Sequence, residues 1–287
     1  MLKIDVVRSV AALRAATRPH RHPISGGVGK RIGLVPTMGA LHQGHLELVK
    51  AARRHADFVV ATIFVNPLQF NPSEDLGAYP RDEATDLNLL AATGADLVFA
   101  PTVTEMYPKH FSTQVTVSAL TKYLDGPARP GHFEGVATVV TKLFNQAQPD
   151  IACFGEKDFQ QLQVIRRLTR DLDLPIEIIG VPTVRDEDGL AMSSRNRYLT
   201  AKERIAASLL PASLRDAVTE LQTGGAAAPI LEKTRSALRS AGFAPIDYVE
   251  LCDTETLQPL PAARGGSRLF AAVHLGQTRL IDNWPVL

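Results

Sequence analysis

Arg31-Ile-Gly-Leu-Val-Pro-Thr-Met-Gly-Ala-Leu-His-Gln-Gly-His45 runs from an apolar tract, through a proline and two glycines, to a pair of histidines. The tract Arg31–Pro36 reads as a buried strand, and the decapeptide Pro36–His45 sits at that strand's C-terminal end and at the start of a helix. A strand that turns directly into a helix is one unit of a parallel sheet. The fold therefore depends on whether the unit repeats.

It does repeat. Phe58–Val65, Asp96–Ala100, Asp150–Phe154 and Pro175–Val181 are further short apolar runs that read as buried strands. Amphipathic segments lie between them. Val136, Val139, Val140, Leu143 and Phe144 keep a helical stripe, and Phe159, Leu162, Ile165 and Leu168 keep a similar one. Continuously apolar strands separated by helices indicate a parallel sheet covered on both faces. The expected fold class is α/β: a Rossmann-like, doubly wound parallel sheet, which binds ligands outside the carboxyl ends of its strands.

The pattern changes near Thr183. Ala201–Leu221 reads as helical with a kink at Pro211, and Gly224-Gly-Ala-Ala-Ala-Pro229 separates it from a helix across Leu231–Ala241. Asp247–Leu251, Arg268–Leu275 and Thr278–Ile281 read as a small antiparallel sheet. Two domains are expected: residues 1–183, Rossmann-like, and residues 184–287, a smaller α+β lid. The N-terminal MLKIDVVRSVAALRAA mixes charges among its apolar residues and suits an amphipathic helix better than a signal peptide. Arg18–Lys30 follows as an exposed loop, in which His20 and His22 lack further ligands at metal-binding spacing.

Composition limits the function classes. A chain of 287 residues buries an ample core, and a formal net charge of +1 offers no global field for nucleic acid or a membrane surface. No apolar run has the length of a membrane span. Cys153 and Cys252 stand far apart in apolar, strand-like surroundings, which points to two buried free thiols in a cytoplasmic protein.

Chemistry concentrates where strands end. A helix N-terminus presents unpaired N–H groups and the positive end of its dipole, both favourable to phosphate. Gly39 and Gly44 let the backbone approach a ligand, and one helical turn places His42 and His45 on one face. The pair can hydrogen-bond phosphate oxygens, or it can hold a metal if a third ligand joins it; none stands nearby in a convincing motif. Gly155-Glu-Lys-Asp158 also follows a strand. There Lys157 can reach phosphates, and Asp158 can cap a helix or hold a ribose hydroxyl; a solvated helix start reads equally well. Met192-Ser-Ser-Arg195 gathers two hydroxyls and a guanidinium, a complement to polyphosphate or a capping pair beside a surface arginine. Asn66 and Gln69, framed by prolines and aromatics in Phe64–Pro72, fit a rigid pocket wall for a small polar substrate, with turn formation as the alternative. Arg129–Gly135 is a further candidate pocket loop.

Taken together, PTMGALHQGH, IFVNPLQF, YPR, RPGHFEGV, CFGEKDFQQL, VPTVRDEDGLAMSSRNRYL and RLIDN resemble the pantothenate synthetase (pantoate–β-alanine ligase) family, in that family's order and over nearly the whole chain. H-x-G-H resembles the HIGH-type signature of the wider nucleotidylyltransferase superfamily, and MSSR its KMSKS loop. The resemblance implies an ATP-dependent ligase that joins pantoate to β-alanine through a pantoyl-adenylate, releasing pyrophosphate and AMP. It implies an ATP site of Met38, Gly39, Ala40, Leu41, His42, Gln43, Gly44, His45, Gly155, Glu156, Lys157, Asp158, Val184, Met192, Ser193, Ser194 and Arg195. His42, His45, Lys157, Ser193, Ser194 and Arg195 carry the catalytic charge stabilisation, with His45 the family's proton donor. Gln69 and Gln161 hold pantoate, with Asn66 in or beside the pocket. Mg²⁺ bridges the phosphates with few protein ligands, Asp86 being the candidate. A homodimer with no nucleic-acid or membrane partner is implied as well. The Arg18–Gly29 loop looks longer than the family's and is expected to be mobile. Another HIGH-type nucleotidyltransferase, an aminoacyl-tRNA-type protein and a non-catalytic nucleotide module are the rival readings.

Overall fold

A computed structural model describes residues 4–21, 29–71 and 76–286. In chain order it contains β1 Asp5–Val7, α1 Val10–Arg21, β2 Ile32–Val35, α2 Gln43–His55, β3 Phe58–Thr62, α3 Glu83–Thr93, β4 Leu97–Phe99, α4 Val103–Met106, α5 Asp125–Ala128 and α6 His132–Ala147. There follow β5 Ile151–Gly155, α7 Phe159–Asp171, β6 Glu177–Val181, α8 Ala201–Ala207, α9 Leu209–Gln222, α10 Ala227–Ser240, β7 Ile246–Asp253, β8 Ser267–Leu275 and β9 Thr278–Pro285.

The six strands β1–β6 form one parallel sheet in the order β1-β4-β3-β2-β5-β6. The chain builds outward from β2 through β3 to β4, then returns to place β5 on the other side of β2. The topological switch point therefore lies between β2 and β5, the position where open α/β sheets take ligands. Strands β7–β9 make the expected antiparallel sheet.

The chain divides into two compact units. The first comprises Met1–Ser118, Arg129–Glu156 and Val164–Pro182; the second comprises Ala119–Ala128, Lys157–Gln163 and Thr183–Leu287. The short segments 119–128 and 157–163, which sequence alone assigns to the first domain, thus group with the second unit. In the first unit Val35, Val49, Val59, Leu90, Val98 and Ile151 share a core between sheet and helices. In the second, Leu210, Leu214, Leu231 and Leu238 of the helices close over Val249, Leu251, Leu269 and Val273 of the sheet. Burial of each such side chain contributes about 1.5–3 kcal/mol. Cys153 and Cys252 are buried free thiols, as expected, and burial pushes the pKa of each up to about 12.

Several local expectations are corrected. The N-terminal segment opens with a strand, because Asp5–Val7 pairs in parallel with Leu97–Phe99. Arg18–Arg21 belong to α1 rather than to a loop, and His20 stacks on Phe58 with ring centroids 4.0 Å apart. Residues 22–28 of the expected loop lie outside the described residues. The helical tract after Thr200 breaks at Ser208, not at Pro211. Proline is tolerated in the first turn of α9, where an amide has no helical acceptor to lose.

Candidate active site

The end of β2 leads into α2 through a tight turn. Gly39 has φ +80°, a left-handed conformation that glycine adopts without strain, and Ala40 follows at φ +51°. That turn is held from one side. Asp86, 2% exposed in the first turn of α3, accepts the amide protons of Ala40 and Leu41, each at 2.8 Å. A Cβ on Gly39 would lie 2.9 Å from Asp86 Oδ2, so the carboxylate and the glycine fit only each other.

Helix α2 is capped by its own histidines. His42 is the N-cap residue, and its Nδ1 accepts from Gly44 N–H at 3.1 Å. His45 reaches back, its Nδ1 accepting from His42 N–H at 3.3 Å, and the two rings lie 4.1 Å apart. This is the reciprocal capping box, built here from imidazoles in place of a hydroxyl and a carboxylate. Two amides expected to face a phosphate are thereby taken by side chains. A neutral imidazole that accepts at Nδ1 carries its proton on Nε2, so both rings become Nε2–H donors mounted on the helix start.

Asn66, 1% exposed, organises the loop after β3. Its Oδ1 accepts from Tyr107 Oη at 2.7 Å and from Leu68 N–H at 3.3 Å. Its Nδ2 donates to Gln69 Oε1 at 3.0 Å and to Gly135 O at 3.1 Å. With donors and acceptors so engaged, Asn66 is buried and orients Gln69. Gln69 Nε2 in turn lies 3.3 Å from Met38 Sδ, which brings an ATP-site candidate beside a pantoate-site candidate. His132, at the start of α6, lies 2.9 Å from Gln69 O through Nδ1 and 3.0 Å from Arg129 Nη1 through Nε2. Arginine only donates, so Nε2 accepts and Nδ1–H holds the Gln69 carbonyl. The backbone and side chain of Gln69 are thus fixed by separate partners. Tyr107, whose phenol burial pushes well above its ordinary range, carries no sequence signal for this role; it stands 41 positions from Asn66.

Gly155 and Glu156 close a segment of the first unit, and Lys157, Asp158, Gln161, Val184 and Met192–Arg195 belong to the second. Glu156–Asp158 form a short 3-10 turn after β5, with Lys157 and Gln161 partly exposed. Ser193 caps the 3-10 turn Ser194–Tyr198, its Oγ accepting from Arg195 N–H at 3.3 Å, and Ser194 is 7% exposed. Val184 O accepts from Met192 N–H at 3.0 Å across a narrow bridge between Arg185 and Ala191. Val184 and Met192 are therefore neighbours through the backbone, which their separation in sequence does not announce.

No group of three or more His, Cys, Asp or Glu side chains that could hold a metal ion occurs among the described residues. The candidate ligand Asp86 accepts from the Ala40 and Leu41 amides, since a buried carboxylate satisfies the two amides that the positive-φ turn directs at it. No described helix is long and apolar enough to cross a membrane.

A family profile described as Pantoate-beta-alanine ligase matches residues 5–285. Pantothenate synthetase from Caulobacter vibrioides is 53% identical over 287 residues, covering 98% of each chain. A crystal structure of pantothenate synthetase from Thermus thermophilus superposes with a TM-score of 0.91 at 49% identity, covering 99% of each chain. A pantoate–β-alanine ligase from Francisella tularensis, complexed with βγ-ATP and β-alanine, superposes with a TM-score of 0.82 at 32% identity, covering 98% of this chain and 97% of that one.

Proposed function

This chain belongs to the pantoate–β-alanine ligase family, and from that membership we propose how its residues divide the work of the reaction. The enzyme condenses pantoate with β-alanine to pantothenate at the expense of ATP. In our reading it does so in two displacements. The pantoate carboxylate attacks the α-phosphorus of ATP, forming pantoyl-adenylate and expelling pyrophosphate. The β-alanine amine then attacks the acyl carbon; the bond from that carbon to the phosphate oxygen breaks, AMP leaves, and the amine's proton passes to solvent. Neither displacement uses a nucleophile from the protein, so catalysis consists of positioning and of neutralising phosphate charge.

The observation that carries the residue assignment is the double use of His42 and His45. Their Nδ1 atoms cap α2 and their Nε2–H groups are donors at the end of β2, beside the switch point of the sheet. We assign both Nε2–H groups to oxygens of ATP. His45 stabilises charge rather than delivering a proton, since pyrophosphate departs as an anion and needs none. Lys157, Ser193, Ser194 and Arg195 are assigned to the same nucleotide as further donors, with Met38–Leu41, Gln43, Gly44, Gly155, Glu156, Asp158, Val184 and Met192 as its surroundings. Gln69, oriented by Asn66, and Gln161 are assigned to pantoate. Mg²⁺ is proposed to arrive on the phosphates with water as its main other ligand, as is usual for this ion. A homodimer, readable by sedimentation equilibrium, and a cytoplasmic location remain proposals on family grounds.

The test supplies ATP, Mg²⁺ and pantoate and measures AMP with and without β-alanine. AMP and the amide product should appear together on adding β-alanine; absence of both overturns the ligase reading. His42→Ala and Lys157→Ala should each slow adenylation by about 10²–10³-fold while the fold persists. Turnover at the wild-type rate in both variants overturns the phosphate-site assignment.

A further inference from the structure

The motif Arg279-Leu-Ile-Asp-Asn283 has no substrate-facing assignment, yet two of its side chains are buried polar groups. Asp282 and Asn283 are each 3% exposed near the end of β9, in the second unit. Burying such groups is unfavourable unless every polar atom is partnered. Where their hydrogen bonds go is therefore informative.

Asn283 Nδ2 donates to the backbone carbonyl of Lys157 at 2.8 Å. Its Oδ1 accepts from Arg268 Nη1, and the Arg268 guanidinium lies 3.9 Å from the centroid of Phe159, two residues beyond Lys157. The turn that carries Lys157 is thus held at its carbonyl and at the ring that follows it. Asp282 faces the other donor segment. It forms a two-pronged pair with Arg185, Nη1 to Oδ2 at 2.7 Å and Nη2 to Oδ1 at 2.8 Å. Arg185 also donates to Gly189 O at 3.0 Å and stacks 4.0 Å from the Trp284 ring centroid, while Trp284 Nε1 donates to Asp282 Oδ2 at 3.2 Å. Arg185 bridges Ala191 in the narrow ladder that delivers Met192 to Arg195. One strand end therefore braces the Lys157 turn through Asn283 and the Met192–Arg195 segment through Asp282.

We propose that Asp282 and Asn283 are positioning residues of the adenylation step, setting the backbone of Lys157 and of the Met192–Arg195 turn without touching substrate. This rests on the assignment of Lys157 and Arg195 to ATP. A donor displaced by a fraction of an ångström loses much of its effect on the transition state, so backbone anchors of this kind act on rate rather than on fold.

Asn283→Asp is the first variant. It keeps side-chain size and the acceptor for Arg268, removes the Nδ2 donor, and sets an anionic oxygen against the Lys157 carbonyl. Single-turnover adenylation and thermal midpoint are measured for it in the wild-type and in the Lys157→Ala background. The expected result is a loss of about 10–100-fold in the wild-type background, with the pantoate KM changed little, and less than about twofold in the Lys157→Ala background. An equal loss in both backgrounds, or a lower midpoint with an unchanged rate, overturns the proposal. If Lys157→Ala itself adenylates at the wild-type rate, the ATP assignment of Lys157 fails and this proposal falls with it. If that variant is impaired while Asn283→Asp is not, only this proposal falls. Should Asn283→Asp not fold, Asn283→Ser is read in the same way. The parallel cycle pairs Asp282→Asn with Arg195→Ala, and additive losses there overturn the Asp282 half.

Discussion

Asp86 illustrates how a side chain's partners emerge only in the structure. Its position after Tyr79-Pro-Arg81 makes it a candidate metal ligand, and its two oxygens accept from Ala40 and Leu41 in a turn whose φ values are positive at Gly39 and Ala40. Asp86→Ala removes both acceptors and should cost about 1–3 kcal/mol for each buried amide left unpaired. A urea titration should show the midpoint falling accordingly, and the ATP KM should rise because the turn that precedes His42 is no longer held. A midpoint equal to that of the wild type would sink this account. At this scale the sequence was legible in residue type and mute about partner. His42 and His45 are visible as a pair three positions apart, yet nothing in the spacing says that their Nδ1 atoms cap the helix. Which atom of a side chain faces its own backbone depends on rotamer and on the turn that precedes it. Both are settled by packing.

The first turn of α6 and the loop after β3 form one assembly. Asn66 donates to Gly135 O, and a Cβ on Gly135 would lie 2.2 Å from Leu68 O and 2.6 Å from Gln69 N. Backbone cannot yield as a flexible side chain can, so Gly135→Ala must push the Leu68–Gln69 segment away. We expect the pantoate KM to rise on the order of tenfold or more, with a smaller change in the ATP KM. A variant with wild-type affinity for pantoate would show that Gln69 does not depend on this contact. The helices themselves were readable, since Val136, Val139, Val140, Leu143 and Phe144 of α6 and Phe159, Leu162, Ile165 and Leu168 of α7 are all buried. Elements of few residues were not. Strand β1 has three residues at the sheet edge, and its only sign of being a strand is its pairing with β4. The break at Ser208 between α8 and α9 likewise leaves no mark on the apolar pattern around it.

On the scale of the molecule, a ligand that binds only the folded chain must stabilise it. ATP with Mg²⁺ at 100 times its Kd should raise unfolding stability by about 2.7 kcal/mol, seen as a higher thermal midpoint, and Lys157→Ala should shrink that rise. No shift at saturating ATP would contradict the nucleotide assignment. The sequence by itself determined the class of sheet, the family and the residue types of the candidate phosphate-binding segments, because these are written in local periodicity and in contiguous motifs. The order β1-β4-β3-β2-β5-β6, with its switch point between β2 and β5, came only from the tertiary structure. So did the grouping of 119–128 and 157–163 with the C-terminal part, the engagement of Asp86 with a turn 45 residues away, and the bracing of Lys157 by Asn283 across 126 residues. The physical reason is the same for each. Contacts between distant segments are made by hydrogen-bond geometry and close packing, which single-chain periodicity does not encode.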